Sequence, residues 1–137
     1  MELINGSENV KRRWKILLGI LAVFVLAAVG MMMYLQTNLN KLIYEEIVEV
    51  DLQDVQDGEY IGEYSSPPVN AKVQVEVKDG KITDIVILDH GHGKGEPAEV
   101  IVEDVISQQR IDVDSISGAT YSSRVILKAI EDALVDK

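Results

Sequence analysis

The hydrophobic pattern divides the chain into one unbroken apolar run and a series of short alternating and helical stretches. From residue 16 to 35 it reads ILLGILAVFVLAAVGMMMYL, twenty residues without a charge. At about 1.5 Å rise per residue such a helix spans roughly 30 Å, the thickness of a bilayer's hydrocarbon core. Lys11, Arg12, Arg13 and Lys15 precede the run, while Lys41 on the far side is followed by Glu45 and Glu46. The positive-inside rule therefore predicts a single-pass anchor with a cytoplasmic N-terminus and an exported remainder, with Trp14 at the membrane interface. A cleaved signal peptide is the rival reading, from the small residues around Ala28-Val29-Gly30. The apolar residues, however, continue beyond the usual ~15-residue signal core.

After the run, Leu39, Leu42, Ile43 and Ile47 fall at helical spacing, which predicts two or three further turns as a stalk or docking face. Asp51, Asp54, Asp57 and Glu59 then mark a linker, and Asp57-Gly58 a turn before a short strand at 59–64. Pro67-Pro68 breaks the chain. Residues 71–77 (AKVQVEV) alternate and residues 82–88 read ITDIVIL, with Asp79-Gly80 between them, the pattern of a hairpin. Val73, Val75 and Val77 share one face, so the sheet needs cover on one side only.

Two helices are available to give it. Residues 97–109 carry Val100, Ile101, Val105 and Ile106 as a stripe, and residues 121–135 carry Val125, Ile126, Ala129, Ile130, Ala133 and Leu134. The order β-β-β-α-(β)-α predicts an α+β domain, a small antiparallel sheet packed by two helices. The expected organisation is a basic cytoplasmic N-terminus at 1–15, a transmembrane helix at 16–35, a juxtamembrane stalk or linker at 36–56, and the domain at 57–137.

The chain has no cysteine, which excludes disulfides, thiolate-bound zinc, iron–sulfur clusters, covalent c-type haem and a lipid anchor on cysteine. Its net charge of −10 is unevenly spread: beyond Glu45 there are 20 acids and 8 bases, a net of −12. Such a surface repels nucleic acid and anionic headgroups, and it also keeps a domain soluble.

The densest chemistry lies at the start of the last helix, in Asp114-Ser115-Ile116-Ser117-Gly118-Ala119-Thr120-Tyr121-Ser122-Ser123. A helix N-terminus offers free backbone N–H groups and the positive end of the macrodipole, a natural seat for a phosphate. The plainer reading of Thr120, Ser122 or Ser123 is a helix cap. Four hydroxyls around Gly118-Ala119 are more than a cap needs, and the lack of bulk there lets a ligand approach the backbone.

The segment Asp114 to Thr120 resembles the D-x-x-[ST]-G-A-[ST] flavinylation signature of the FMN-binding domain family. That family includes the flavin subunits of the sodium-translocating NADH:quinone reductase and Rnf complexes, and many small membrane-anchored exported flavoproteins. The resemblance extends to Asp57-Gly58-Glu59-Tyr60-x-Gly62, to Lys78-Asp79-Gly80-Lys81-Ile82 and to the last helix. It implies FMN joined through its phosphate to Thr120 as a phosphoester by a Mg²⁺-dependent flavin transferase. It implies further that Gly118 and Ala119 leave room, that Ser117 donates to phosphate, that Ser122 and Ser123 belong to the same site, and that Asp114 orients the turn or serves transferase recognition. The protein implied is a redox carrier in the bacterial cytoplasmic membrane, with its flavin domain on the extracytoplasmic side. Its partners would be that membrane, the transferase, and donor and acceptor proteins or a quinone.

A second unusual stretch, Asp89-His90-Gly91-His92-Gly93-Lys94-Gly95-Glu96, holds both histidines. It reads as a weak zinc or copper site, as a glycine-rich loop against the flavin with His90, His92 or Lys94 tuning it, or as a plain surface loop. Tyr60 and Tyr64 share a strand face, suited to an aromatic ring or to simple packing. Two alternatives to the carrier remain: an anchored scaffold of the same fold without flavin, and an FMN-dependent reductase of a small acceptor.

Overall fold

The structure, a computed structural model, describes residues 2–91 and 95–135. It divides into two compact units, the second beginning at Thr37. The first unit is the greater part of a single helix, α1 (Glu2–Tyr44), whose large apolar side chains from Val10 to Tyr34 are exposed, Phe24 and Leu26 at 70% and 71%. This helix is long and apolar enough to cross a membrane.

The second unit is built on three antiparallel strands in the order β1-β2-β3: β1 (Gly58–Ser66), β2 (Val69–Lys78) and β3 (Lys81–Gly91). Alternation does what the sequence predicts of it. Val69, Ala71, Val73, Val75 and Val77 are buried, while the residues between them face outward. Asp79 and Gly80 close the β2–β3 hairpin with φ of 52° and 69° between the paired Lys78 and Lys81, the positive-φ pair of a type I′ turn. All three strands run longer than their apolar cores suggest. β3 in particular takes in Asp89, His90 and Gly91, residues expected to begin a loop.

The inner face is covered by helices, giving the expected α+β arrangement. α3 (Thr120–Leu134) lies across β1 and β2 and buries Val125, Ile126, Ala129, Ile130, Ala133 and Leu134. Gly62 of β1 is the point of closest approach, since a Cβ there would stand 2.1 Å from the Ala129 carbonyl oxygen. The helix expected at 97–109 is in two parts, a 3-10 turn (Glu96–Val100) holding Pro97 and then α2 (Ile101–Gln108) against β3. Gln109, at φ 52°, ends α2 and turns its amide onto the edge strand. Its Oε1 accepts from the Ile82 N–H at 2.8 Å and its Nε2 donates to the Ile82 carbonyl at 2.8 Å. The optional strand between the helices does not form: residues 110–119 are irregular.

The stalk segment joins the core. Leu42, Ile47 and Val55 are buried with the sheet and α3 residues. Polar contacts fix the same segment: Glu49 accepts from the Ile111 and Asp112 N–H groups at 3.2 and 2.7 Å, and the Val48 N–H donates to Glu131 at 2.9 Å.

Candidate functional site

The irregular segment between α2 and α3 ends in a tight turn. The Ala119 N–H donates to the Ile116 carbonyl at 3.0 Å, with Ser117 and Gly118 at the corners and Gly118 at φ 79°. A positive φ at this position is the mark of a type II turn and is the reason for glycine there. A Cβ on Gly118 would meet nothing within 4 Å, so the backbone is open to whatever approaches. α3 starts directly afterwards, with Ala119 as its N-cap.

Ala119 has no side chain that can cap, and among the described residues no side chain does so. The first N–H groups of α3 are therefore left to solvent or to a ligand, at the positive end of a helix of 15 residues. Thr120 is exposed and lines a cleft of about 180 Å³ with Val69, Gly95, Gly118, Ala119, Tyr121 and Ser122. Four of the sequence-predicted residues, Gly118, Ala119, Thr120 and Ser122, thus meet in one place. Ser117 and Asp114 are exposed beside them and do not line the cleft. Ser123 is fully buried, and its hydroxyl is engaged with the turn itself.

Val69 and Tyr121 were not legible as site residues. Val69 arrives from the start of β2, far away in sequence, and only the fold brings it there. Gly95, near the end of the glycine-rich stretch, is buried at this cleft, which places that one residue of the stretch next to Thr120. His90 points inward, its side chain 2% exposed, with Nδ1 3.1 Å from Glu99 Oε1. Among the described residues no three acidic or histidine side chains gather as a metal would require. His92 and Lys94 lie outside the described residues.

Tyr60 and Tyr64 face elsewhere. The Tyr60 hydroxyl donates to the Gln56 carbonyl at 2.6 Å, and the Tyr64 hydroxyl to Glu45 at 2.6 Å, with Lys128 Nζ 5.7 Å from the Tyr64 ring centre. Lys128 is two turns along α3 from Thr120, about 12 Å. Both tyrosines therefore serve the segment between α1 and β1 and its flanks.

Within the second unit, two broader depressions exceed the cleft in size. One, of about 430 Å³, is bordered by Glu63 and Asp89 with Lys72. The other, of about 490 Å³, is bordered by Glu45, Glu46 and Asp112, and its Arg124 is committed to the Leu42 and Glu45 carbonyls. Carboxylates at both rims oppose an anionic ligand, so the smaller cleft at the helix start is the better phosphate seat.

No curated protein matches the chain. A family model described as the FMN-binding domain matches residues 65–135, more than half of its length, and the chain belongs to that family.

Proposed function

We propose that the protein is an exported, membrane-tethered electron carrier whose FMN is attached covalently, through its phosphate, to Thr120. The observation that carries this reading is the exposed Thr120 at the uncapped start of α3, lining a cleft of about 180 Å³. Pockets that retain a ligand of this size by contact alone enclose about 300–1,000 Å³. A helix N-terminus adds at most about 2 kcal/mol for an anion, roughly thirtyfold in affinity. Neither would keep free FMN on a protein outside a cell, and a phosphoester would.

The N–H groups at the start of α3 hold the phosphate, Gly118 and Ala119 leave it room, Ser117 donates to it, and Ser122 lines its seat. Asp114, exposed upstream of the turn, is the contact offered to a flavin transferase. FMN in place supplies one- and two-electron transfer, and the protein supplies position and electrostatics. α1 is the anchor, with Lys11, Arg12, Arg13 and Lys15 on the cytoplasmic side, and donor and acceptor are membrane or exported proteins or a quinone.

Thr120→Val tests the attachment. Co-expressed with a flavin transferase, wild-type protein should carry one FMN by intact mass, with flavin absorbance that survives denaturation, and Thr120→Val should carry none while keeping its fold. Covalent FMN on the valine variant would overturn the assignment. Wild-type protein without flavin would favour a scaffold role.

A further inference from the structure

Ser123 stands one turn inside α3, wholly buried, with its hydroxyl directed back at the turn that precedes the helix. Its Oγ accepts from the Ile116 N–H at 3.0 Å and donates to the Ala119 carbonyl at 2.8 Å. Residues 116 and 119 are the two ends of the Ser117-Gly118 turn, already bridged by the Ala119 N–H to Ile116 carbonyl bond of 3.0 Å. One hydroxyl therefore staples both ends of the turn to the first turn of the helix. The ends of the turn are packed as well, Ala119 buried and Ile116 against the core, but Ser117 and Gly118 at its corners are exposed, and a Cβ on Gly118 would meet nothing within 4 Å. Glycine left to itself samples both signs of φ. The hydrogen bonds that Ser123 makes at 116 and 119 favour one.

We propose that Ser123 is a positioning residue for flavin attachment: it holds turn 116–119 in the one shape that presents the Thr120 hydroxyl to the transferase. This rests on the covalent reading above. In that step Thr120 Oγ bonds to the flavin-side phosphorus of a flavin dinucleotide, and the bond from that phosphorus to the bridging oxygen breaks. AMP leaves with that oxygen, the hydroxyl proton passes to a base of the transferase, and the oxidation state of the flavin is unchanged. A displacement of this kind tolerates little error, since a misplacement of about 1 Å can cost ~100-fold in rate. A buried side chain that touches no reactant can therefore govern the rate through the turn alone.

The test uses the full-length protein in detergent with purified flavin transferase, Mg²⁺ and FAD, following covalent FMN by intact mass at several protein concentrations. Ser123→Ala should lower the maximal rate at least tenfold with KM for the protein within about twofold, at a temperature well below the Tm of every variant. Ile130→Val, a core change on the same helix away from the turn, should flavinylate as wild type does. Ser123→Thr, which keeps the hydroxyl, should recover most of the rate. A Ser123→Ala rate within twofold of wild type overturns the role of Ser123, as does an equal loss in Ile130→Val. So does a failure of Ser123→Thr to recover at an unchanged Tm. Wild-type protein that takes up no covalent FMN overturns the attachment reading itself, a result distinct from these.

Discussion

Two glycines show how differently a single hydrogen atom can be required. Gly118 has φ 79° and open surroundings, so a methyl group there meets no atom and only the backbone conformation resists it. Gly118→Ala should therefore cost about 1 kcal/mol, the price of a left-handed L-residue, lowering Tm by about 4–8 °C for a domain of this size. On the covalent attachment proposed above its larger effect should fall on flavinylation, because that proposal brings the phosphate to this open backbone. Gly62 is the reverse case: its Cβ would stand 2.1 Å from the Ala129 carbonyl oxygen and 2.3 Å from the Ala133 nitrogen, both backbone atoms that cannot swing away. Gly62→Ala must push α3 off the sheet, and we expect a loss of about 3 kcal/mol or more. Thermal melts of the two variants side by side check the order, and a milder loss at Gly62 than at Gly118 would show that α3 yields.

At the level of elements, the C-terminal end of α1 and the middle of α3 are joined by charge. The last carbonyls of a helix lack intrahelical partners and sit at its negative end. Here Arg124 donates to the Leu42 carbonyl in that last turn and to the Glu45 carbonyl just beyond it, and Lys128 donates to the Glu46 carbonyl at 3.2 Å and to Glu131 at 3.0 Å. Tyr64 closes the cluster from β1, its hydroxyl on Glu45. That hydrogen bond, with help from Lys128 and Lys41 and against partial burial, holds the Glu45 carboxyl below its ordinary 4.5. Burial first, then Glu45, pushes the Tyr64 hydroxyl up to about 12. The signs give a stability window. The neutral tyrosine is favoured in the fold, so its contribution is complete below pH 10 and is lost as pH climbs from about 10 to 12. The depressed carboxyl contributes above 4.5 and loses its effect as pH falls below that value. Wild type should exceed Tyr64→Phe by about 1 kcal/mol at pH 7, a gap that closes toward pH 12 and toward acid. Parallel melting curves for the two proteins across pH 9–12 would remove Tyr64 from the account.

At the scale of the whole molecule, what could be read in the sequence was what repeats along it. The Val73, Val75 and Val77 alternation, the Asp79-Gly80 turn and the apolar stripe of α3 are local patterns, and each folds as its period dictates. The signature turn was legible for the same reason, as a contiguous run of small residues at a helix start. Val69 at the cleft and the role of Ser123 behind it were legible only through the fold, since Val69 comes from a distant strand and that role is defined by where the Ser123 hydroxyl points. The segment from the end of α1 to β1 was the least legible, because acidic spacing at Asp51, Asp54 and Asp57 resembles a solvated linker while the burial of Leu42, Ile47 and Val55 depends on partners far along the chain. Each of those three side chains is worth about 1.5–3 kcal/mol on burial. Together they rival the roughly 5–15 kcal/mol by which a domain is stable at all. Glu45 and Glu49 add hydrogen bonds to Tyr64 and to the backbone just ahead of the signature. A fragment beginning at residue 57 should therefore fail to fold, although it contains every strand and the whole signature, whereas a fragment beginning at residue 37 should melt cooperatively. Circular dichroism on the two purified fragments decides it, and a cooperative transition in the shorter one would show that the segment is an accessory to the core and not part of it.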